Sequence, residues 1–212
     1  MKIEVKNLNK SFKNDVIIQD LSYCFQEGKI YGIFGYNGSG KSVFLKVLAG
    51  LYKPTSGEIL VDGENYFKNN TFLNDLGAVI EKPAFIDDLT GMENLLLLSK
   101  IKNKISFEDI NKYIEIVKLS DHKDKKYKKY SMGMRQKLAI VQAIMEDQKI
   151  ILLDEPFNGI DRESVIAIKN YLKSISKTRV IIITSHIPED FDDLIDIYLK
   201  FDNGTISEDK KE

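Results

Sequence analysis

Short, continuous apolar runs alternate along this chain with segments in which apolar residues recur at helical spacing. The runs at 30–34, 150–153 and 180–183 are almost entirely apolar, which is the pattern of parallel strands covered on both faces. Between them, residues 42–49 show a helical period and are followed by the stop signal Gly50. Strands that alternate with helices predict a parallel α/β core.

The middle of the chain has a different pattern. Thr90 and Glu93 have the spacing of a capping box and predict a helix over 94–99. A second helix is predicted near 107–118, and strand patterns return only after Ser131. We therefore expect one domain over residues 1–212, with a helical subdomain inserted at about 85–135.

Composition narrows the class of partner. The chain has 212 residues, with Lys+Arg 31 against Asp+Glu 32 and a formal net charge of -1. This balance argues against nucleic acid as a partner, which usually requires a basic excess. The apolar runs are far shorter than the roughly 20 residues that span a bilayer, and the start at Met1 resembles neither a signal nor a transit peptide. The single Cys24 favours a reducing compartment and is expected to be buried.

A glycine-rich segment connects the first predicted strand to the first predicted helix. Its sequence matches G-x-x-x-x-G-K-[ST], and the strand before and helix after it are the context that this motif requires. Glycines let successive backbone N–H groups surround phosphate oxygens, and the helix N-terminus adds positive potential. Lys41 is expected to reach the β- and γ-phosphates, and Ser42 to ligate Mg²⁺. The predicted ATP-binding residues of this loop are Gly35, Asn37, Gly38, Ser39, Gly40, Lys41 and Ser42.

Two further strands end in side chains suited to phosphate chemistry. The run 150–153 leads into Asp154 and Glu155, at the strand end where α/β folds place their sites. Asp154 is expected to hold Mg²⁺ and Glu155 to deprotonate the attacking water. The run 180–183 leads to His186, for which we expect a hydrogen bond to the γ-phosphate; a structural histidine is the alternative.

A small-residue loop opens the apolar segment 138–144. It contains Ser131, Met132 and Gly133, and a helix that begins there has an anion-binding end. With the glycine-rich loop, the two carboxylates and the histidine, it stands in the order and spacing of the ATP-binding cassette (ABC) ATPases, which this chain resembles over essentially its whole length. The loop is similar to the family signature Leu-Ser-Gly-Gly-Gln but keeps only its serine and second glycine.

The resemblance implies a fold and an assembly. The fold is α/β of the P-loop NTPase type, with a mainly parallel sheet, an N-terminal antiparallel β region and an inserted helical subdomain. Two ATPase subunits, identical or related, are expected to close over ATP and Mg²⁺, so that Ser131 and Gly133 of one reach the nucleotide of the other. Residues 158–161 match the family loop at the dimer seam.

Two more positions take roles from the resemblance. Phe12 stands where the family places an aromatic side chain that stacks on adenine; a core phenylalanine is the alternative. Glu81 follows a predicted strand at 76–80 and occupies a position that is Gln in most members. It is expected to ligate Mg²⁺ or couple the site to a partner, and a solvated loop glutamate is the alternative.

The segment 77–85 and the signature resemble the bacitracin- and lantibiotic-type exporters. That branch implies a separate membrane-spanning permease, a location in the cytoplasm on the inner face of the cell membrane, and export of a substrate such as a peptide antibiotic. One alternative is a non-transport ABC ATPase that acts as a nucleotide-driven dimerisation switch. A P-loop small-molecule kinase is another, and it would need neither the signature nor the seam loop.

Overall fold

The computed structural model describes residues 1–13, 15–65, 67, 75–81, 84–191 and 193–209. The strands in these ranges are β1 (Lys2–Phe12), β2 (Asp15–Gln26), β3 (Lys29–Phe34), β4 (Ser56–Val61), β5 (Glu64–Asn65), β6 (Leu76–Val79), β7 (Ile150–Asp154), β8 (Val180–Ser185), β9 (Ile197–Asp202) and β10 (Thr205–Glu208). The α-helices are α1 (Lys41–Leu48), α2 (Gly91–Lys102), α3 (Phe107–Ile116), α4 (Met132–Ile144) and α5 (Arg162–Ile175). Single 3₁₀ turns lie at Ser120–His122, Tyr127–Lys129, Ser176–Thr178 and Pro188–Phe191.

The larger sheet has the order β10-β9-β3-β8-β7-β6, and all neighbours except β9 and β10 are parallel. Every residue of β7 and β8 is buried, as their continuous apolar sequences predict. Parallel strands bring their C-terminal ends to one edge of the sheet. The register places Phe34 beside Ser185 and Asp154 beside Thr184. The segments that follow β3, β6, β7 and β8 therefore start side by side.

The smaller sheet is antiparallel, with the order β2-β1-β4-β5. It is the expected N-terminal antiparallel region. In β2, Leu21 and Phe25 are buried, whereas Ser22 and Cys24 are exposed, because successive side chains of a strand point to opposite faces. The expectation that Cys24 is buried is wrong.

Between β6 and β7, the described residues form the three α-helices α2, α3 and α4. Thr90 and Glu93 form the predicted capping box, so α2 starts at Gly91, and Ser106 and Asp109 cap α3 in the same way. The second predicted helix ends earlier than expected, at Ile116, because Lys118 has a left-handed backbone with φ of 54°. The boundaries 85–135 of a separate subdomain remain a prediction.

Two apolar cores cover opposite faces of the larger sheet. Ile151 and Leu153 point into the core formed with α2 to α5, and Ile150 and Leu152 point into the core formed with α1 and the smaller sheet. This alternation is why β7 is apolar from Ile150 to Leu153. Within the described ranges, every helix is too short or too polar to cross a bilayer.

Candidate nucleotide site

The glycine-rich loop runs from the end of β3 to the start of α1. Gly38 and Gly40 have φ of 81° and 112°, conformations that glycine adopts without a steric penalty. A Cβ atom on Gly40 would also lie 2.8 Å from Cγ2 of Ile17. The N-terminus of α1 has no side-chain cap, and the buried Oγ of Ser39 has no hydrogen-bond partner. Since buried polar atoms are normally paired, both features suit an anion such as phosphate.

Lys41 lies inside this loop and is almost fully buried. Its Nζ donates hydrogen bonds to the carbonyl oxygens of Gly35, at 2.7 Å, and Tyr36, at 3.0 Å. Burial lowers the pKa of Lys41, and the negative charges of Glu155 and Asp154 oppose that shift. The ammonium group and both carboxylates therefore belong to one electrostatic site.

The two carboxylates stand at the end of β7 but differ in environment. Asp154 is buried, and its Oδ1 accepts a hydrogen bond from Oγ1 of Thr184 on the neighbouring strand. Glu155 leaves the sheet with a left-handed backbone, φ 46°, which is uncommon for a residue other than glycine. Thr184 was not identified from the sequence, although its place before His186 in an apolar strand is a usable signal.

His186 follows β8 and meets Glu155. Its Nδ1 lies 2.9 Å from Oε1 of the glutamate, and the side chains are 36% and 23% exposed. A carboxylate only accepts hydrogen bonds, so Nδ1 is the donor in this contact. The structure thus brings together the candidate base and the candidate γ-phosphate contact.

Glu81 lies two residues beyond β6, on the same edge of the sheet. Its side chain is 61% exposed and forms an ion pair with Lys46 of α1. The metal-binding role of Glu81 therefore stays a prediction. Lys82 and Pro83, which belong to the segment used for the resemblance, lie outside the described residues.

The candidate signature begins α4. Ser131 is the N-cap, and its Oγ accepts a hydrogen bond from the backbone N–H of Met134 at 3.3 Å. A Cβ atom on Gly133 would lie 2.2 Å from the carbonyl oxygen of Gly159, so only glycine permits this close approach. Met132 is 69% exposed at the same end of the helix.

An ion pair between a buried lysine and an exposed aspartate ties the signature helix to the seam loop. Nζ of Lys137 lies 2.6 Å from Oδ2 of Asp161, and only 10% of the lysine side chain is exposed. Asp161 also caps α5 by accepting from the backbone N–H of Ser164. Lys137 was not predicted from the sequence, where its signal is a lysine within an apolar helical segment.

Phe12 lies at the end of β1 and is 40% exposed. Its ring contacts Tyr52 edge-on, with centroids 5.4 Å apart, and Nζ of Lys10 lies 4.5 Å from its centroid. Partial exposure leaves ring surface for a base, and adenine stacking stays a prediction.

A cavity of about 630 Å³ lies between the carboxylates and the signature helix. The residues that line it are Glu81, Tyr130, Met132, Arg135, Gln136, Asp154, Glu155 and Asn158.

The donor atoms suit Mg²⁺ bound together with a substrate. Within the described part of the chain, no group of three or more His, Cys, Asp or Glu side chains is arranged to hold a metal ion. Mg²⁺ is usually bound by one or two carboxylates, water and substrate phosphates. The hydroxyl of Ser42 and the second oxygen of Asp154 match that chemistry.

The chain is similar in sequence to ATP-binding proteins of ABC transporters. The family described as ABC transporter matches residues 18–158. The chain is 41% identical over 210 residues to the ABC transporter ATP-binding protein YybJ of Bacillus subtilis (strain 168), covering 99% of this chain and 96% of that protein.

Two relatives have names that include a transported compound. The bacitracin transport ATP-binding protein BcrA of Enterococcus faecalis is 35% identical, with 92% of this chain matching 64% of that protein. The lantibiotic transport ATP-binding protein SrtF of Streptococcus pyogenes is 30% identical, with 92% of this chain matching 84% of that protein. This chain therefore spans slightly less than two thirds of the length of BcrA.

Among solved structures, the ATP-binding subunit of an ABC transporter superposes with a TM-score of 0.88 at 24% identity. It covers 99% of this chain and 90% of its own length. At this identity the superposition supports the fold.

Proposed function

This chain belongs to the ABC transporter family of ATP-binding proteins, and we propose that it powers export of a peptide antibiotic or related compound through a separate membrane-spanning subunit. As a member of that family it binds and hydrolyses ATP. The names of BcrA and SrtF support the substrate class.

The contact between Glu155 and His186 carries the proposed mechanism. Glu155 accepts a proton from the attacking water, and His186 holds the glutamate in position and senses the γ-phosphate. Lys41 and the backbone N–H groups of the glycine-rich loop bind the phosphates. Ser42, Asp154 and Glu81 would hold Mg²⁺, which when bound supplies positive charge that neutralises the phosphate oxygens.

Closure of two ATPase subunits completes each site. Ser131 and Gly133 stand at the N-terminus of α4, where the helix dipole favours an anion. We assign Ser131 and Gly133 to contact the γ-phosphate that the opposite subunit binds. The seam loop of that opposite subunit packs against this subunit. Phe12 supplies a ring surface for the adenine base.

We assign docking of the membrane subunit to exposed apolar side chains of the helical region. Ile86, Leu97 and Ile101 are 50%, 47% and 77% exposed, and the last two are one turn apart on α2. Because α2 follows Glu81 along the chain, we assign α2 the role of coupling Glu81 to the docked subunit. Under this proposal the chain works in the cytoplasm, on the inner face of the cell membrane.

Copurification tests the proposal. The tagged chain is cross-linked in cells, membranes are solubilised in detergent, and bound proteins are identified; the Glu155→Gln variant serves as the trapped state and Leu97→Asp/Ile101→Asp as the docking control. We expect a membrane-spanning protein with the wild type and the trapped variant, lost with the docking variant. An ATP-driven dimer that never copurifies with such a protein would favour a dimerisation switch instead.

A further inference from the structure

Lys46 and Glu81 form an ion pair in which the two side chains differ in freedom. The lysine projects from α1 and is 15% exposed, whereas the glutamate is 61% exposed and follows β6. A buried side chain has fewer accessible rotamers than an exposed one. Lys46 is therefore the fixed member of the pair, and Glu81 is the member that can leave.

Aromatic packing keeps Lys46 in place. Its Nζ lies 5.2 Å from the centroid of the Tyr52 ring, and Tyr52 packs edge-on against Phe12. An ammonium group this close to a ring is attracted by its π electrons. The backbone N–H of Tyr52 also donates to the carbonyl oxygen of Lys46 at 3.1 Å, so the ring stays beside the lysine.

The pair lies one helical turn from the predicted metal ligand. Lys46 is four residues after Ser42, so both are on one side of α1 and about 6 Å apart along its axis. Glu81 has φ of 61°, which is uncommon for a residue with a side chain. Lys46 lies in the last turn of α1, so the carboxylate of Glu81 is held beside that turn and away from Ser42 at the phosphate end.

We propose that Lys46 is a positioning residue, which holds Glu81 on the flank of α1 until the metal-bound nucleotide competes for the carboxylate. The role rests on the proposed function, because it uses the assignment of Glu81 to the metal. The pairing neutralises a carboxylate that would otherwise repel Asp154, Glu155 and the phosphates.

A double-mutant cycle on the nucleotide-free chain tests the pair itself. Urea unfolding is measured for the wild type, Lys46→Met, Glu81→Gln and the double variant. We expect a coupling of about two- to fivefold in the unfolding equilibrium constant, the range of a partly exposed ion pair. Lys46→Arg should stay close to the wild type because it keeps the charge. Additive effects in the cycle would overturn the pairing.

The Mg²⁺ dependence of hydrolysis tests the positioning role. Lys46→Met should lower the half-saturating Mg²⁺ concentration by about two- to fivefold, because the metal no longer displaces the lysine. The shift should vanish in the Glu81→Gln background. Lys112→Met, which breaks the exposed ion pair with Asp109 on α3, is the control and should show no shift.

The outcomes separate the two proposals. An active wild type with no Mg²⁺ shift in Lys46→Met, or with a shift that persists beside Glu81→Gln, would refute the role of Lys46 alone. A wild-type chain without ATPase activity would refute the proposed function, and the unfolding cycle would still decide whether the pair forms.

Discussion

Nδ1 of His186 lies 2.9 Å from Oε1 of Glu155, where two neighbouring parallel strands end. Because the carboxylate can only accept, this hydrogen bond places a proton on Nδ1. A neutral imidazole then has no proton on Nε2 with which to contact a phosphate. The contact with Glu155 and a second hydrogen bond to the γ-phosphate therefore require either the imidazolium form or a change of partner.

Glu155→Gln should preserve the shape of the site and remove its proton acceptor. We expect hydrolysis to fall by about 10²–10⁴-fold, the usual effect of losing a general base. ATP binding should persist, so the variant should accumulate as an ATP-bound dimer. ATPase assays and size measurement with and without Mg-ATP check both points; a strictly monomeric, fully active variant would contradict the base and the shared site.

His186→Ala should remove the histidine without disturbing nucleotide binding by the glycine-rich loop. Loss of one positioned hydrogen-bond donor typically costs about 10²–10³-fold in rate. The matched control is His122→Ala, since His122 is exposed in the 3₁₀ turn after α3 and should have no effect. Equal turnover of the His186 and His122 variants would indicate that His186 has a structural role instead.

Lys41→Ala tests the phosphate site. Lys41 is buried beside the loop carbonyls, and its charge cannot be supplied by another side chain of the loop. We expect no measurable ATP binding or hydrolysis, monitored by equilibrium binding and phosphate release. Lys53→Ala, outside the loop, should behave as the wild type. Turnover at the wild-type rate by Lys41→Ala would contradict the assignment of residues 35–42 as a P-loop.

Much of the nucleotide edge could be predicted because its strands are buried on both faces. β3, β7 and β8 have continuous apolar sequences, and parallel pairing then determines which residues emerge together. The antiparallel strands β1 and β2 were not predicted individually. The predicted burial of Cys24 was wrong because side chains alternate between the two faces of β2 and that of Cys24 points outward. Sequence spacing alone does not identify contacts between distant segments, such as Lys46 with Glu81 or Lys137 with Asp161.

Ser131→Arg should block the approach of the opposite subunit. Ser131 is exposed at the start of α4, so a large cation there occupies the place of the partner's phosphate. ATP affinity of the monomer should change little, whereas hydrolysis should fall and should lose the dependence on protein concentration that we expect of the wild type. Assays across a range of protein concentrations measure this. Normal hydrolysis by the variant would mean that the loop has only a capping role.

Asp161 joins two elements, and its substitutions should separate capping from charge. Hydrogen bonds from Lys137 and from the backbone N–H of Ser164 hold the pKa of Asp161 well below its usual range. A depressed pKa in the folded state contributes stability that is present above the unfolded value, about 3.9, and is lost as pH falls through the folded value. From pH 5 to pH 8 the contribution of Asp161 to stability should therefore be constant.

The two substitutions of Asp161 should differ in cost. Asparagine can still cap α5, so Asp161→Asn should lower the free energy of unfolding by about 1 kcal/mol through loss of the ion pair, whose carboxylate is exposed. Asp161→Ala should lower it by about 2 kcal/mol because the cap is lost too. Denaturant unfolding of both variants beside the wild type at pH 5, 6.5 and 8 measures these differences. Equal losses in the two variants, or a difference that changes between pH 5 and pH 8, would show that the ion pair and the cap do not act as described.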